Sequence, residues 1–310
     1  MKQKSSEQME TVSEYEQYMI DNRDGSITAE SLALIRAKES TFKPDERICF
    51  DPYAIRFVNP NLLQILARMP PEKSKEMQDV YENQFPGHKN ALIARVRFFD
   101  DSVKDSISKG FTQIVIIGAG YDTRAYRIEG ISKVRVFELD LPDIQNRKKS
   151  KIQEIFGSLP PQVTYIPVDL SITSLKTALT GSDFDFRQKT LYLLEGLILY
   201  IPPEQVKELF SSIVSQSIQG SAVLFDSIDG DIIDGSDQSA YAMNLRDQMS
   251  RLGETFKFGI RKGEEEKYMR TFGFNKIQVV TKEEYVAQYF TGVNKSRNVS
   301  GAFNFVWAET

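Results

Sequence analysis

Acidic residues recur where apolar runs end: Glu138-Leu139-Asp140 after residues 133–137, Asp169 after 163–168, and Glu195 after 191–194. Ahead of them, Ile114-Val115-Ile116-Ile117 runs into Gly118-Ala119-Gly120. Glycines let the chain turn sharply and let a ligand lie against bare backbone, which is how a nucleotide-type pocket begins at the end of a first parallel strand. An acid about 20 residues past such a turn can accept hydrogen bonds from ribose hydroxyls. Glu138 and Asp140 both meet that spacing; one is expected to hold a ribose, and the other reading of Asp140 is a cap for the helix opening at Pro142 or Asp143. Asp169 suits an adenine amino group, with Leu170 packing on the ring, and its alternative is a cap for the helix around residues 174–179. Glu195 is the least ordinary charge. An unpaired carboxylate at the end of an apolar run is costly, so Glu195 calls for a cationic partner.

Composition narrows the chemistry. The chain has one histidine, His88, and one cysteine, Cys49. Any Ser-His-Asp triad or histidine metal site would have to use that single imidazole, and cysteine clusters for zinc are excluded. No metal is expected. A lone cysteine forms no intrachain disulfide, which fits a reducing cytoplasm. Net charge −4 gives no basic surface for nucleic acid. No apolar run approaches the ~20 residues that span a bilayer, so no membrane partner is expected, and residues 1–18 lack the apolar core of a leader.

The elements that must position these residues alternate along the chain. Residues 1–25 read as a polar arm. Residues 28–37 read as a helix with Thr28 as its N-cap. A second helix opens at Asp51-Pro52, contains Phe57, Leu62, Leu63 and Leu66, and ends at Pro70-Pro71. Residues 92–101 form an amphipathic helix in which Arg95 and Arg97 cannot both face the core; taken alone, either reads as solvated. Strands follow at 114–117, 133–137, 163–168, 191–194, 222–225, 276–280 and 303–307. Strand and helix alternate through the first five, which implies a mostly parallel sheet with helices on both faces. The last two strands, with no long helix between them, suggest an antiparallel hairpin at one edge. One domain is expected over residues 26–310, with a helical cap at 26–110 and a lid-like insertion at 229–266.

Four blocks in this order, Ile117-Gly118-Ala119-Gly120-Tyr121-Asp122-Thr123-Arg124, Glu138-Leu139-Asp140-Leu141-Pro142 with Arg147-Lys148, Val168-Asp169-Leu170, and Glu195 through Gln205, resemble the leucine carboxyl methyltransferase family, and residues 28–51 resemble its prokaryotic O-methyltransferase branch. The resemblance implies a Rossmann-like, seven-stranded class I methyltransferase sheet with its last strand antiparallel, and S-adenosylmethionine (SAM) as cofactor. It further implies that Arg95 meets the SAM carboxylate, Gly118 and Gly120 pass under the methionine moiety, Glu138 or Asp140 holds the ribose, Asp169 and Leu170 hold the adenine, and Glu195 lies near the amino group. Asp122, Thr123 and Arg124 fix the loop. Tyr200, by family position, orients the acceptor, with Tyr121 a second candidate.

The expected reaction is O-methylation of a carboxylate on a small molecule or peptide by in-line displacement. A carboxylate is ionised at neutral pH and needs no general base; a hydroxyl acceptor would need one, from His88, Tyr200 or an acid. Two further readings are a nicotinamide-dependent oxidoreductase, against which stands the missing third glycine of the dinucleotide fingerprint, and a non-catalytic SAM-binding protein. The sequence sets no oligomeric state.

Overall fold

The computed structural model describes Glu14, Tyr15, Gln17, Tyr18, Asp21 and residues 27–310; the polar arm at 1–25 lies outside the described residues apart from those five. Helices α1 (Ile27–Ser40), α2 (Pro60–Arg68), α3 (Pro71–Gln84) and α4 (His88–Ser108) precede the first strand. Two expectations change here. Thr28 lies inside α1 rather than capping it, and its hydroxyl donates to Glu254. The helix expected from Asp51 to Pro70 is split. The Asp51 carboxylate accepts from the Tyr53 and Ala54 amides and closes a single turn, Ala54–Phe57. Pro60 keeps the preceding residue extended, so the chain restarts on the Asn59 cap. Pro71 then opens α3 instead of only ending what came before. Helix α4 starts four residues earlier than expected, on Gly87 in the left-handed region. A Cβ there would lie 2.6 Å from the Ser300 amide nitrogen, so only glycine fits.

Strands β1 (Gln113–Ile117), β2 (Arg135–Asp140), β3 (Val163–Pro167), β4 (Thr190–Leu194), β5 (Ala222–Ile228), β6 (Lys276–Val280) and β7 (Phe303–Glu309) form one sheet in the order β3-β2-β1-β4-β5-β7-β6. The first five pair in parallel, and β7 runs antiparallel to both β5 and β6. This is the expected seven-stranded α/β sheet. The terminal strands pair as expected, but β7 lies inside the sheet and β6 forms the edge, and a short helix, Lys282–Tyr289, joins them.

The central strands β1, β4 and β5 are buried throughout, as parallel strands covered on both faces must be. Alternate side chains serve opposite layers. Val115, Phe137, Tyr192 and Phe225 pack with Val206, Leu209, Phe210 and Ile213, the helically spaced apolar stripe of Pro203–Gln216. Ile114, Val136, Leu193 and Leu224 pack with Phe99 and Val103 of α4. Residues 229–266 carry helix Ala240–Arg251, whose Ala242, Leu245 and Met249 join Phe85 and Leu92 in a further cluster. Among the described residues, no helix is long and apolar enough to cross a membrane.

Candidate functional site

The loop after β1 is shaped by its glycines and by one acid. Gly118 and Gly120 both have positive φ, 68° and 39°. The Gly118 and Ala119 amides donate to the Leu139 carbonyl at 2.9 and 3.0 Å, which holds the loop against the end of β2. A Cβ on Gly118 would lie 2.9 Å from Leu197 Cδ1, and one on Gly120 would lie 3.9 Å from the Ala29 Cβ of α1. Leu197 therefore occupies one side of the loop, and α1 passes over the other glycine. Asp140 reaches back to this loop: Oδ2 accepts from the Gly120 amide at 2.6 Å and Oδ1 from the Leu141 amide at 2.7 Å. Helix Pro142–Phe156 has Leu141 at its N-cap position and no side-chain cap, so Asp140 ties the loop rather than the helix.

Glu138 differs from Asp140. It is 0% exposed, lies 2.8 Å from Lys148 Nζ and accepts from the Tyr126 hydroxyl at 3.0 Å. Burial pushes its carboxyl up to about 7, against the pull of Lys148. Glu138 is enclosed on β2, and of the two acids only Asp140 bonds the glycine loop. Asp169 follows β3 and accepts from the Ser171 amide at 2.8 Å; Ser174, not Asp169, caps the next helix. Leu170 is half-buried against the same cluster as Leu197.

A buried ionic chain crosses the ends of β4 and β5. Arg95, 2% exposed, donates from Nε to Glu195 (3.0 Å) and from Nη1 to Asp226 (2.8 Å). Glu195 accepts in turn from Arg124 Nη1 at 2.5 Å, so its need for a cation is met twice. Burial alone would raise the Glu195 carboxyl, but Arg124 and Arg95 outweigh it and hold it below the usual range. Arg124 also binds Asp122 and Asp100 (2.7 Å each). Arg127 continues to Asp100 and Asp51, and Arg36 of α1 closes the chain on Asp51 at 2.9 Å and on the Tyr121 carbonyl at 2.7 Å. Arg97 points elsewhere, to Asp101. One donor in this chain is idle: Arg95 Nη2 is buried without a partner among the described residues.

Asp226, Asp100 and Arg127 were not singled out from sequence. Asp226 ends the β5 apolar run just as Glu195 ends that of β4, and its amide partner is Gly196 at 2.5 Å. That repetition was the available signal. Tyr200 closes the single turn Ile198–Tyr200, with its ring 5.5 Å from Phe256. Burial and the nearby Glu254 raise its phenol. His88 is enclosed among Phe85, Tyr241 and Phe303, with Nδ1 2.7 Å from the Tyr241 hydroxyl, and burial pushes its imidazole down to about 4. An open cleft of about 430 Å³ lined by Arg47, Arg97, Tyr289 and Asn294 shares none of these site residues.

The family model for leucine carboxyl methyltransferase matches residues 29–214, a span that holds the glycine loop, Arg95, Asp140 and Glu195. The chain belongs to the leucine carboxyl methyltransferase family. A Mycolicibacterium gilvum protein, named as a candidate S-adenosyl-L-methionine-dependent methyltransferase, is 33% identical over 226 residues, covering 71% of this chain and 72% of its own. A protein of the same name from Mycolicibacterium vanbaalenii is 34% identical over 222 residues, with 70% of each chain covered. Among solved structures, a DUF574 family protein from Streptomyces avermitilis superposes with TM-score 0.56 at 13% identity, over 90% of this chain and 96% of that one. At that identity the likeness speaks to the fold alone. This leucine carboxyl methyltransferase family member is a SAM-dependent methyltransferase, which sets aside the nicotinamide reading.

Proposed function

We propose that this protein transfers the SAM methyl group to oxygen, with a carboxylate as acceptor. Arg95 carries the cofactor placement. Its Nη2 is buried and idle, and a carboxylate is the partner that such a donor best accepts. The SAM carboxylate would take it, with the methionine moiety along Gly118–Gly120, the ribose at Asp140, and the adenine at Asp169 and Leu170. Glu138, enclosed with Lys148, supports that ribose site from behind. The ionic chain favours a cation there: it holds the five carboxylates Asp51, Asp100, Asp122, Glu195 and Asp226 against the four arginines Arg36, Arg95, Arg124 and Arg127, a surplus of one negative charge. SAM supplies a methyl group on a positively charged sulfur.

What supports a carboxylate acceptor is the state of the candidate bases. His88 is enclosed with its Nδ1 engaged, and the Tyr200 phenol is raised by burial, so neither is placed to remove a proton at neutral pH. A carboxylate needs no proton removed, and a dry site that aligns it with the sulfonium accelerates transfer by proximity and desolvation. Tyr200 then orients the acceptor. A second reading, a hydroxyl acceptor, is favoured by Glu254, which accepts from Thr28 and lies near Tyr200, where it could serve as base. Incubation with methyl-labelled SAM and panels of carboxylic acids and phenols or alcohols, followed by mild alkali, separates the two. A methyl ester releases labelled methanol, and this is the expected result. Label that survives alkali on a hydroxyl compound overturns the carboxylate reading.

A further inference from the structure

The peptide unit joining Ala119 to Gly120 is held at both edges by buried or half-buried charges. Its N–H donates to Asp140 at 2.6 Å. Its carbonyl accepts from the Asp122 amide at 2.8 Å and from Lys148 Nζ at 3.2 Å. Lys148 comes from helix Pro142–Phe156, is 1% exposed, and is balanced by Glu138 at 2.8 Å. Glu138 is oriented in turn by the Tyr126 hydroxyl, which also meets the Tyr165 hydroxyl at 3.0 Å. Gln145, one turn before Lys148, fastens the helix to the Glu138 carbonyl at 2.6 Å.

A buried lysine–glutamate pair is a poor device for stability alone, because an apolar pair of the same volume serves as well or better. What an apolar pair could not supply is a donor fixed at the Ala119 carbonyl. Glycine on one side of that peptide leaves its plane free to rotate, and the positive φ at Gly120 is one of several conformations open to it. We propose that Lys148 is a positioning residue for the cofactor: with Asp140 on the opposite edge, it locks the Ala119–Gly120 peptide plane in the orientation that the methionine moiety lies against. Glu138 sets the direction of the Lys148 ammonium. This inference rests on SAM lying along the glycine loop.

The test uses the full-length protein and titration calorimetry with SAM. Lys148→Met is expected to weaken SAM binding by tenfold or more. In Lys148→Met/Glu138→Gln the unpartnered buried carboxyl left behind is also replaced, so the melting temperature should recover toward that of the wild type while SAM binding stays at least fivefold weak. Recovery of both together overturns the proposal, since a merely structural pair would behave that way. Wild-type SAM affinity in Lys148→Met overturns it as well. Absence of SAM binding by the wild-type protein would instead sink the cofactor reading beneath it. Amide hydrogen exchange on the wild type needs no variant to fold: the Gly120 amide should be protected, and exchange at the rate of an open loop amide overturns the clamp.

Discussion

At the scale of single residues, the strand-end acids were readable because each interrupts an apolar run where a charge has no ordinary place. Glu195 shows what that reading can and cannot give. Its demand for a cation follows from burial, but the supply of two, Arg95 from α4 and Arg124 from the short helix Arg124–Arg127 after β1, is a product of the fold. Replacing Glu195 with alanine leaves both guanidinium groups short of a partner in a buried setting, a loss on the order of 3–5 kcal/mol. Glu195→Ala is expected to lower the melting temperature and weaken SAM binding more than tenfold by calorimetry; wild-type-like affinity would remove Glu195 from the site. Lys148 shows the opposite limit. In a helix of polar composition it reads as a surface lysine, and only the packing of that helix on β2 reveals it as buried. Asp100 was hidden for a similar reason, since five residues past Arg95 it looks like part of a solvated face.

At the scale of elements, α4 carries the most. Arg95 and Asp100 point into the ionic chain, Phe99 and Val103 into the sheet, and His88 into an aromatic nest seven residues before Arg95. Its sequence period exposed the middle of the helix, but its start depends on Gly87 pressing against Ser300, a contact with no local signature. His88 gives α4 a pH signature. Its imidazole is neutral when folded, with a pKa of about 4 against about 6.5 when unfolded. The unfolded chain therefore binds a proton that the folded chain refuses. The stabilisation is complete above pH 6.5 and is lost as pH falls toward 4, by about 3 kcal/mol. Thermal unfolding from pH 7 to 4 should show a decline that is shallower in His88→Gln; parallel curves for the two proteins would contradict the assignment. The 51–70 segment reads as one helix although Asn59-Pro60 carries a local signal for its split, whereas the internal place of β7 has none, because strand order is decided by tertiary packing rather than by periodicity.

At the scale of the molecule, α1 links the glycine loop to residues 229–266. Arg36 of α1 grips the Tyr121 carbonyl, Ala29 covers Gly120, and Thr28 binds Glu254. The glycine loop is thus covered by α1, and α1 is tied in turn to a segment more than 200 residues away, a link that the sequence does not show. The sheet has its own long-range tie. β7 pairs with β5 over seven positions and with β6 over five, so β6 reaches the sheet only through β7. A chain shortened before Phe303 is expected to be recovered as insoluble or protease-sensitive material; a folded, SAM-binding fragment of that kind would contradict this. During synthesis the same arrangement imposes an order of events. The ribosome delivers β6 first, but β6 has nowhere to dock until residues 303–309 emerge, and until then β5 presents Val223 and Phe225 along an open edge, the moment at which a nascent chain is most exposed to pairing with a neighbour.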